Sequence, residues 1–157
     1  MPNTEADKPV INPASIDEAH VHVVAAIIWK QQERREFLIA QRQKGKHLQD
    51  YWEFAGGKLE PAESPRQALQ RELEEEIGIR PTSTSPYMRV YYRYPERNIL
   101  LDTWSVDEYR GEVRAREQQA ISWIGPNEID LYPFPAADIP ILDAIKHSAK
   151  AETQRLP

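Results

Sequence analysis

The sequence contains no cysteine among its 157 residues. This absence excludes a disulfide framework, a thiolate metal site and a thiol nucleophile. Positive charge is also scarce, because 20 Lys and Arg stand against 25 Asp and Glu and leave a net charge of −5. Proteins that coat polymeric nucleic acid are usually basic, so that class of function is excluded. Cysteine-free composition is compatible with a reducing compartment, and we expect a cytoplasmic protein.

Long apolar runs are missing as well, since none approaches the ~20 residues that cross a bilayer. The first 20 residues hold three prolines and several acids, which is not a signal peptide. We therefore expect no membrane partner. The composition, 40% hydrophobic and 29% charged, is that of a globular chain with one domain. We expect a flexible tail at 1–18, the domain at 19–150 and a C-terminal tail at 151–157.

The alternation of apolar and polar residues predicts the order of the elements. Strands are predicted at 20–29, 37–42, 87–94, 98–109 and 117–124. Helices are predicted from Ser64 or Pro65 to Gly78 and over 137–150. Two segments rich in Gly, Pro, Ser or Thr, 52–65 and 81–86, are predicted as a loop and a linker. This order favours an α/β fold in which helices cover both faces of a mixed sheet, an α/β/α sandwich.

The first predicted helix carries clustered carboxylates beside its apolar stripe, which consists of Leu69, Leu73 and Ile77. At about 100° per residue, Glu75 and Glu76 lie on either side of Glu72 within one arc of about 100°. Like charges at these spacings repel, and acids at the end of a helix oppose its dipole. A bound cation offsets both effects, and oxygen ligands without cysteine favour Mg²⁺, with Mn²⁺ as a possible substitute. An acidic run on a solvated face is the alternative.

The spacing around this cluster favours the cation site over a solvated acidic face. The chain matches G-x5-E-x7-R-E-U-x-E-E-x-G-U, where U is a bulky aliphatic residue, at Gly57, Glu63, Arg71, Glu72, Leu73, Glu75, Glu76, Gly78 and Ile79. A chance match is on the order of 10⁻⁷ per chain at ordinary residue frequencies. The pattern resembles the Nudix box, and the chain is identified as a member of the Nudix hydrolase family.

The resemblance extends from about residue 20 to about 147. The segments WEFAGGK, YPERNI and FPAADIPIL look like the MutT-like branch, which hydrolyses oxidised nucleoside triphosphates, and like the related CTP pyrophosphohydrolases. The resemblance implies a Nudix fold with a loop–helix–loop box. It also implies attack of water on a phosphoanhydride, releasing a nucleoside monophosphate and pyrophosphate. We expect an Mg²⁺-dependent enzyme of nucleotide-pool sanitation with a nucleoside triphosphate as its partner, in a monomer or weak dimer.

The resemblance also implies which residues of this chain hold the metal and carry the reaction. The implied metal ligands are the carbonyl of Gly57 and the carboxylates of Glu72, Glu75, Glu76 and Glu117. Glu117 and Glu72 are the two candidates for the base that deprotonates water, and the sequence does not separate them. Arg71 and Glu63 complete the catalytic set, because the arginine orients a carboxylate and Glu63 closes that arrangement.

The substrate contacts implied by the resemblance are Arg42 for the phosphates and Phe54, Tyr94, Arg97 and Asp138 for the base. MutT-like relatives have Asn where this chain has Asp138, whereas the CTP-hydrolysing relatives have Asp. An Asn donates and accepts, while an ionised Asp only accepts. We expect 8-oxo-dGTP as the substrate, with CTP or a modified pyrimidine nucleotide as the alternative. Asp138 could instead cap the terminal helix.

A nucleotide-binding module that has lost catalysis is the alternative from another class of function. Such modules carry degenerate boxes, whereas every defined position is present here. The intact box therefore favours the enzyme.

Overall fold

The structure, a computed structural model, describes residues 10–11, 19–31, 36–46 and 48–155. Its strands are β1 Val10–Ile11, β2 Val21–Ile28, β3 Phe37–Gln41, β4 Trp52–Glu53, β5 Ala55–Lys58, β6 Ile79–Arg93, β7 Asn98–Gly111 and β8 Ile121–Ile124. Its helices are α1 Pro65–Ile77 and α2 Ile139–Arg155, and 3-10 turns lie at Pro126–Leu131 and Ala136–Asp138.

The strands form two sheets. The five-stranded sheet has the order β1-β6-β7-β2-β5 and is mixed, because β1 with β6 and β2 with β7 are parallel while β6 with β7 and β2 with β5 are antiparallel. The second sheet, β4-β3-β8, is antiparallel. The predicted mixed sheet is confirmed.

Strand β2 separates two hydrophobic clusters, because successive side chains of a strand point to opposite faces. Val24 and Ala26 pack in the cluster that contains the apolar stripe of α1, here called the α1 cluster. Ala25 and Ile27 pack in the cluster that contains Ile141 and its neighbours on α2, here called the α2 cluster. One helix therefore covers each face, and the predicted α/β/α sandwich is confirmed.

Helix α1 begins and ends where the sequence predicts. The Ser64 hydroxyl accepts a hydrogen bond from the Gln67 N–H at 3.2 Å, and the Ser64 N–H donates to Gln67 Oε1 at 2.9 Å. This capping box is followed by Pro65, which needs no hydrogen-bond partner for its nitrogen. Gly78 ends the helix in the left-handed region at φ +77°, which glycine adopts without strain.

Two segments predicted as irregular form strands instead. Residues 81–86 belong to β6, where shifts in the pairing register adjoin Pro81 and Pro86 and accommodate residues that cannot donate to the ladder. Residues 52–65 contain β4 and β5. A Cβ on Gly56 would lie 2.0 Å from the carbonyl oxygen of Val24, so this glycine permits close pairing with β2 rather than marking a loop.

The predicted ends of the domain also differ from the structure. Val10–Ile11, within the expected tail, pair in parallel with β6, and α2 continues through Arg155 into the expected C-terminal tail. The rest of those tails, 1–9, 12–18 and 156–157, lies outside the described residues. The strand predicted from 117 begins at Ile121. Across the described ranges, no helix has the length and apolar character that crossing a membrane requires.

Candidate active site

Most of the predicted site residues converge on one cleft of about 420 Å³, lined by parts of β2, β4, β5, α1 and β7, by the segment after β3 and by the turn that precedes α2. Nine of them line it: Arg42, Phe54, Gly57, Glu72, Glu76, Tyr94, Arg97, Glu117 and Asp138. Arg71, Glu63 and Glu75 are not among the lining residues. The cleft has a wall of carboxylates from α1 and, across from it, a pocket of aromatic side chains from the α2 cluster.

Glu72 packs against the backbone of Gly57. A Cβ on Gly57 would lie 2.4 Å from Glu72 Oε1, so this position accommodates the carboxylate because glycine has no side chain. The side chain of Glu72 is 14% exposed. Its pKa lies above the ordinary value, because burial disfavours the charge more than Arg71 favours it and because Glu75 and Glu117 add repulsion.

Glu76 is the most strongly perturbed of the helix carboxylates. Burial raises its pKa to about 8, and the charges of Glu72, Glu117 and Glu53 act in the same direction. One backbone hydrogen bond opposes them, from the N–H of Gly56 to Glu76 Oε2 at 3.3 Å. Glu76 lies near three other carboxylates with little positive charge around it. A cation in the cleft would offset their mutual repulsion and favour the charged form of Glu76.

Arg71 connects the box residues beneath the cleft. Its guanidinium binds Glu63 in bidentate fashion, with Nε–Oε2 and Nη2–Oε1 distances of 2.7 and 2.9 Å. It also donates to Glu72 Oε1 at 2.9 Å and to the carbonyl of Lys58 at 3.1 Å. This pairing lowers the pKa of Glu63 to about 2 and raises that of Arg71. Arg71 thus contacts both Glu63 and Glu72, and its role in orienting Glu72 stays a prediction.

Glu75 lies apart from the other predicted metal ligands. Its side chain is 59% exposed and pairs with Arg71 at 3.4 Å. It lines an outer groove of α1 with Arg71 and Arg116 rather than the cleft. Its role as a ligand stays a prediction.

Glu117 enters the cleft from the turn before β8. That turn binds the last carbonyls of α1, through hydrogen bonds from the Arg114 N–H to Ile77 at 2.8 Å and from the Arg116 N–H to Glu76 at 3.0 Å. These bonds satisfy carbonyls that a helix end leaves without partners. They also place Glu117 beside the helix carboxylates although it lies 41 positions beyond Glu76 in the sequence.

On the opposite side of the cleft, the positively charged side chain of Arg42 lies beside acidic groups. Arg42 Nη1 lies 2.6 Å from Glu53 Oε2. Glu53 lines the cleft as well, and burial raises its pKa despite Arg42 and Lys46 nearby. Glu53 was not predicted as a site residue, because it lies in the segment 52–65 that was predicted as a loop, and a loop has no periodicity that indicates which way a side chain points.

Asp138 lines the cleft and is 6% exposed, and its Oδ2 atom has no hydrogen-bond partner in the described part of the chain. Burial raises the pKa of Asp138 well above its ordinary value, and Glu53 adds to the shift while Arg42 opposes it. Helix α2 begins at Ile139, and an unpartnered Oδ2 does not support the capping alternative.

Aromatic side chains line the cleft together with Asp138. The N–H of Ala137 donates to the Tyr94 hydroxyl at 3.1 Å, so Tyr94 fixes the turn that carries the acid. Phe54 is buried between Phe37 and Phe134, with ring centroids 6.0 and 6.5 Å away. Arg97 is exposed at the rim and closes a turn with Tyr94 through paired backbone hydrogen bonds.

The cleft fits a hard divalent cation by its donor set. Its acidic wall offers carboxylate oxygens and the Gly57 backbone, all of them ligands that Mg²⁺ prefers. Within the described residues, no three acidic, histidine or cysteine side chains stand close enough to enclose an ion by themselves. Mg²⁺ commonly keeps several waters and binds through one or two carboxylates together with substrate phosphates, so an incomplete protein shell is compatible with it.

Comparison with known proteins agrees with this geometry. The NUDIX domain family profile matches residues 20–145. The CTP pyrophosphohydrolase of Escherichia coli K12 is 44% identical over 125 residues, covering 79% of this chain and 90% of that protein. The 8-oxo-dGTP diphosphatase of the same organism is 36% identical over 114 residues, covering 73% and 88%.

A solved structure from work on MutT of Aliivibrio salmonicida and Vibrio cholerae superposes with a TM-score of 0.72 at 32% identity, covering 83% of this chain and 99% of that one. Nudix hydrolases as a family act on nucleotide substrates and need a divalent metal. By its box, its fold and these matches, the chain belongs to the Nudix family.

Proposed function

We propose that the protein is a divalent-metal-dependent nucleoside triphosphate diphosphatase, with 8-oxo-dGTP as its substrate and 8-oxo-dGMP and pyrophosphate as its products. One observation carries the proposal: a single cleft joins the acidic face of α1 to Arg42 and to a pocket that ends at Asp138. A nucleoside triphosphate carries its phosphates and its base in the corresponding order, with the phosphates facing the acidic face and Arg42 and the base facing the pocket. Relatives at 44% and 36% identity that are named as enzymes of this kind support it.

The reaction requires that an anionic substrate approach an anionic wall. Water attacks one phosphorus of the α–β anhydride and loses a proton, the P–O bond to the bridging oxygen breaks, and that oxygen leaves with the phosphorus that is not attacked, which gives the monophosphate and pyrophosphate. A divalent ion neutralises phosphate charge and acidifies water. We propose Mg²⁺, with Mn²⁺ as a substitute, held by Gly57, Glu72, Glu76 and Glu117 and, on the family's pattern, Glu75.

The chain's own side chains divide the remaining work. Arg42 binds the phosphates, sharing its guanidinium with Glu53 at 2.6 Å. Glu117 accepts a proton from water at its carboxylate, because it lines the cleft and is exposed. Glu72 is the alternative base, and one of its carboxylate oxygens already accepts a hydrogen bond from Arg71. Arg71 and Glu63 hold Glu72 in place.

Asp138 reads the base in this proposal. Burial raises the pKa of Asp138, and in its protonated form the carboxyl group offers one donor and one acceptor, as an Asn side chain does. In that form, the difference from MutT-like relatives does not remove guanine-type recognition. Phe54 and Tyr94 provide apolar surface around the base, and Arg97 lies where it could contact an exocyclic oxygen.

CTP is the second candidate substrate. The specific observation in its favour is the 44% identity to a protein named CTP pyrophosphohydrolase. A protonated carboxyl group also complements the N3 and N4 edge of cytosine, so Asp138 alone does not separate the two bases.

A turnover screen tests the proposal. Purified protein is given 8-oxo-dGTP, dGTP, CTP or 5-methyl-dCTP with Mg²⁺, Mn²⁺ or EDTA, and nucleoside monophosphate and pyrophosphate are quantified. We expect kcat/KM for 8-oxo-dGTP to exceed that for dGTP and CTP, with no turnover in EDTA. Preference for CTP would transfer the proposal to the second candidate, and absence of turnover on all four would reject both.

We also propose that the protein acts in the cytoplasm on the nucleotide pool, without polymeric nucleic acid or membrane partners, as a monomer or weak dimer. Gel filtration with light scattering over a range of concentrations tests the oligomeric state.

A further inference from the structure

Two glutamine side chains hold the backbone of Glu117 from both sides. Gln119 Oε1 accepts the N–H of Glu117 at 3.0 Å. Gln43 Nε2 donates to the carbonyl of Glu117 at 2.6 Å. Both polar groups of this one residue's backbone are therefore fixed by side chains rather than by a regular strand or helix.

Each glutamine ties Glu117 to another part of the cleft. The amide of Gln119 also donates through Nε2 to the carbonyl of Glu76 at 3.2 Å, so one side chain bridges the backbones of two acidic site residues. Gln43 follows Arg42 directly and connects Glu117 to the segment after β3 that carries the proposed phosphate-binding arginine. The two contacts thereby set the position of Glu117 relative to Glu76 and Arg42.

Backbone hydrogen bonds fix the two neighbours of Glu117, from the Arg116 N–H to the Glu76 carbonyl at 3.0 Å and from the Gln118 N–H to the Ala115 carbonyl at 3.2 Å, whereas the polar backbone groups of Glu117 itself bind the two glutamines. The Glu117 carboxylate accepts no hydrogen bond from the described residues, and the side chain is exposed. The next residue, Gln118, adopts φ +62°, a left-handed conformation that non-glycine residues rarely hold without support. An exposed carboxylate in such a turn keeps a defined position only where its backbone is fixed.

We propose that Gln119, together with Gln43, is a positioning residue that places the Glu117 carboxylate for the reaction. The inference rests on the proposed catalytic role of Glu117. Displacement of a reacting group by about 1 Å can lower the rate by roughly 10²-fold. Loss of the Gln119 bridge should therefore lower kcat by about tenfold or more while leaving KM nearly unchanged, because Gln119 does not line the substrate cleft.

The test compares Gln119→Ala with Gln118→Ala, in the wild-type chain and in the Glu117→Gln chain. Gln118 is the matched control, since it is an exposed glutamine of the same turn and no hydrogen bond of its side chain is present among the described residues. We expect Gln119→Ala to lower kcat about tenfold more than Gln118→Ala in the wild-type background and less than twofold in the Glu117→Gln background, because contacts that act through one group are not additive.

A second measurement does not depend on turnover. Amide hydrogen exchange of Glu117, followed by NMR, should become roughly fivefold faster in Gln119→Ala, as expected for one lost hydrogen bond of about 1 kcal/mol. Gln119→Glu keeps the acceptor for the Glu117 N–H but loses the donor to the Glu76 carbonyl, so exchange of the Glu117 amide should stay slow in this variant. Gln119→Glu also replaces Gln119→Ala in the series if the alanine variant folds poorly. Unchanged exchange in Gln119→Ala would overturn the inference.

The kinetic outcomes also separate the inference from the proposal on which it rests. Loss of activity in Glu117→Gln but not in Gln119→Ala would overturn the positioning role alone. An equal loss from Gln119→Ala in both backgrounds would show that Gln119 does not act through Glu117. Normal kcat in Glu117→Gln would overturn the catalytic role of Glu117 and the positioning role with it.

Discussion

The carboxylate of Glu72 packs against the α-carbon of Gly57, so closely that a single added methyl group would come within 2.4 Å of Oε1. The adjacent glycine is equally confined, but by different atoms. A Cβ on Gly56 would meet the Val24 carbonyl oxygen at 2.0 Å and the Ala25 α-carbon at 2.9 Å. Two neighbouring glycines thus serve two purposes, one for the site and one for the sheet.

This contrast predicts opposite outcomes for two matched substitutions. Gly57→Ala displaces the end of a flexible side chain, so we expect kcat to fall about tenfold or more with little change in the urea midpoint. In Gly56→Ala the added methyl group would clash with the backbone of β2, which cannot move aside within the sheet. We therefore expect a loss of roughly 1–3 kcal/mol in unfolding free energy. Urea unfolding and steady-state kinetics on both variants check this. Equal loss of stability in the two would contradict it.

Glu76→Gln should abolish nearly all turnover and leave the metal-free protein as stable as wild type or more so. The amide cannot ionise, so it avoids the cost that burial and the charges of Glu72, Glu117 and Glu53 impose on the Glu76 carboxylate. Thermal melts in EDTA and kinetics in saturating Mg²⁺ measure both effects. Glu74→Gln is the control, because Glu74 is exposed and does not line the cleft. Glu75→Gln belongs in the same series, since full activity in that variant would remove Glu75 from the ligand set.

Glu117→Gln should lower kcat by roughly 10²–10⁴-fold if Glu117 is the general base. Glu72→Gln is the comparison, because both carboxylates line the cleft. Single-turnover rates at saturating metal separate the chemical step from binding. If Glu117→Gln stayed close to wild type while Glu72→Gln lost activity, the base would be Glu72.

Glu63 should stabilise the fold in a defined pH range. Its pKa is about 2 in the folded protein against an ordinary value of 4.5, so the folded state binds this proton less readily than the unfolded chain. The stabilisation is therefore complete above pH 4.5 and is lost as pH falls from there towards 2.

Melting temperatures across that range check this expectation for Glu63. We expect Glu63→Gln to be less stable than wild type near neutral pH and the difference to vanish towards pH 2. Glu60→Gln is the control, because Glu60 is exposed and lies 3.7 Å from Arg71. A difference between Glu63→Gln and wild type that did not change with pH would contradict the charged pair as its cause.

Asp138→Asn should change base preference in a pH-dependent manner. Below its raised pKa the acid carries a proton and resembles Asn, and above that pKa it only accepts. Glu53 raises this pKa and Arg42 lowers it. We expect the kcat/KM ratio between 8-oxo-dGTP and CTP to be similar in variant and wild type at low pH and to diverge by about tenfold at high pH. A ratio that never diverges would show that Asp138 does not read the base.

Local sequence predicted the parts of the fold that local chemistry determines. Ser64, Gln67 and Gly78 fix the ends of α1 through contacts within a few residues, and the box spacing located Arg71 beside Glu63 and Glu72. The composition of 81–86 favoured a linker, but pairing with β7, formed by residues further along the chain, overrode that preference.

The remaining features depend on contacts between distant segments. Helical spacing placed Glu75 and Glu76 on one arc, yet the pairing of Glu75 with Arg71 and the burial of Glu76 beside Gly56 separate their surroundings. The burial of Asp138 depends on β6 and on Tyr94, 44 positions earlier in the chain. The roles of Gln43 and Gln119 could not be predicted either, because an amide has no sequence pattern that indicates which backbone it will bind.

The two clusters on either side of β2 have a consequence for how such an enzyme can change. Glu72 and Glu76 project from the helix of the α1 cluster, whereas Phe54 and Tyr94 belong to the α2 cluster. Substitutions that reshape the base pocket can therefore be accommodated by repacking one cluster while the other keeps its arrangement. Under the proposed roles, hydrolysis and substrate choice depend on different clusters, and we expect a library confined to the α2 cluster to redirect the nucleotide preference without redesign of the acidic helix.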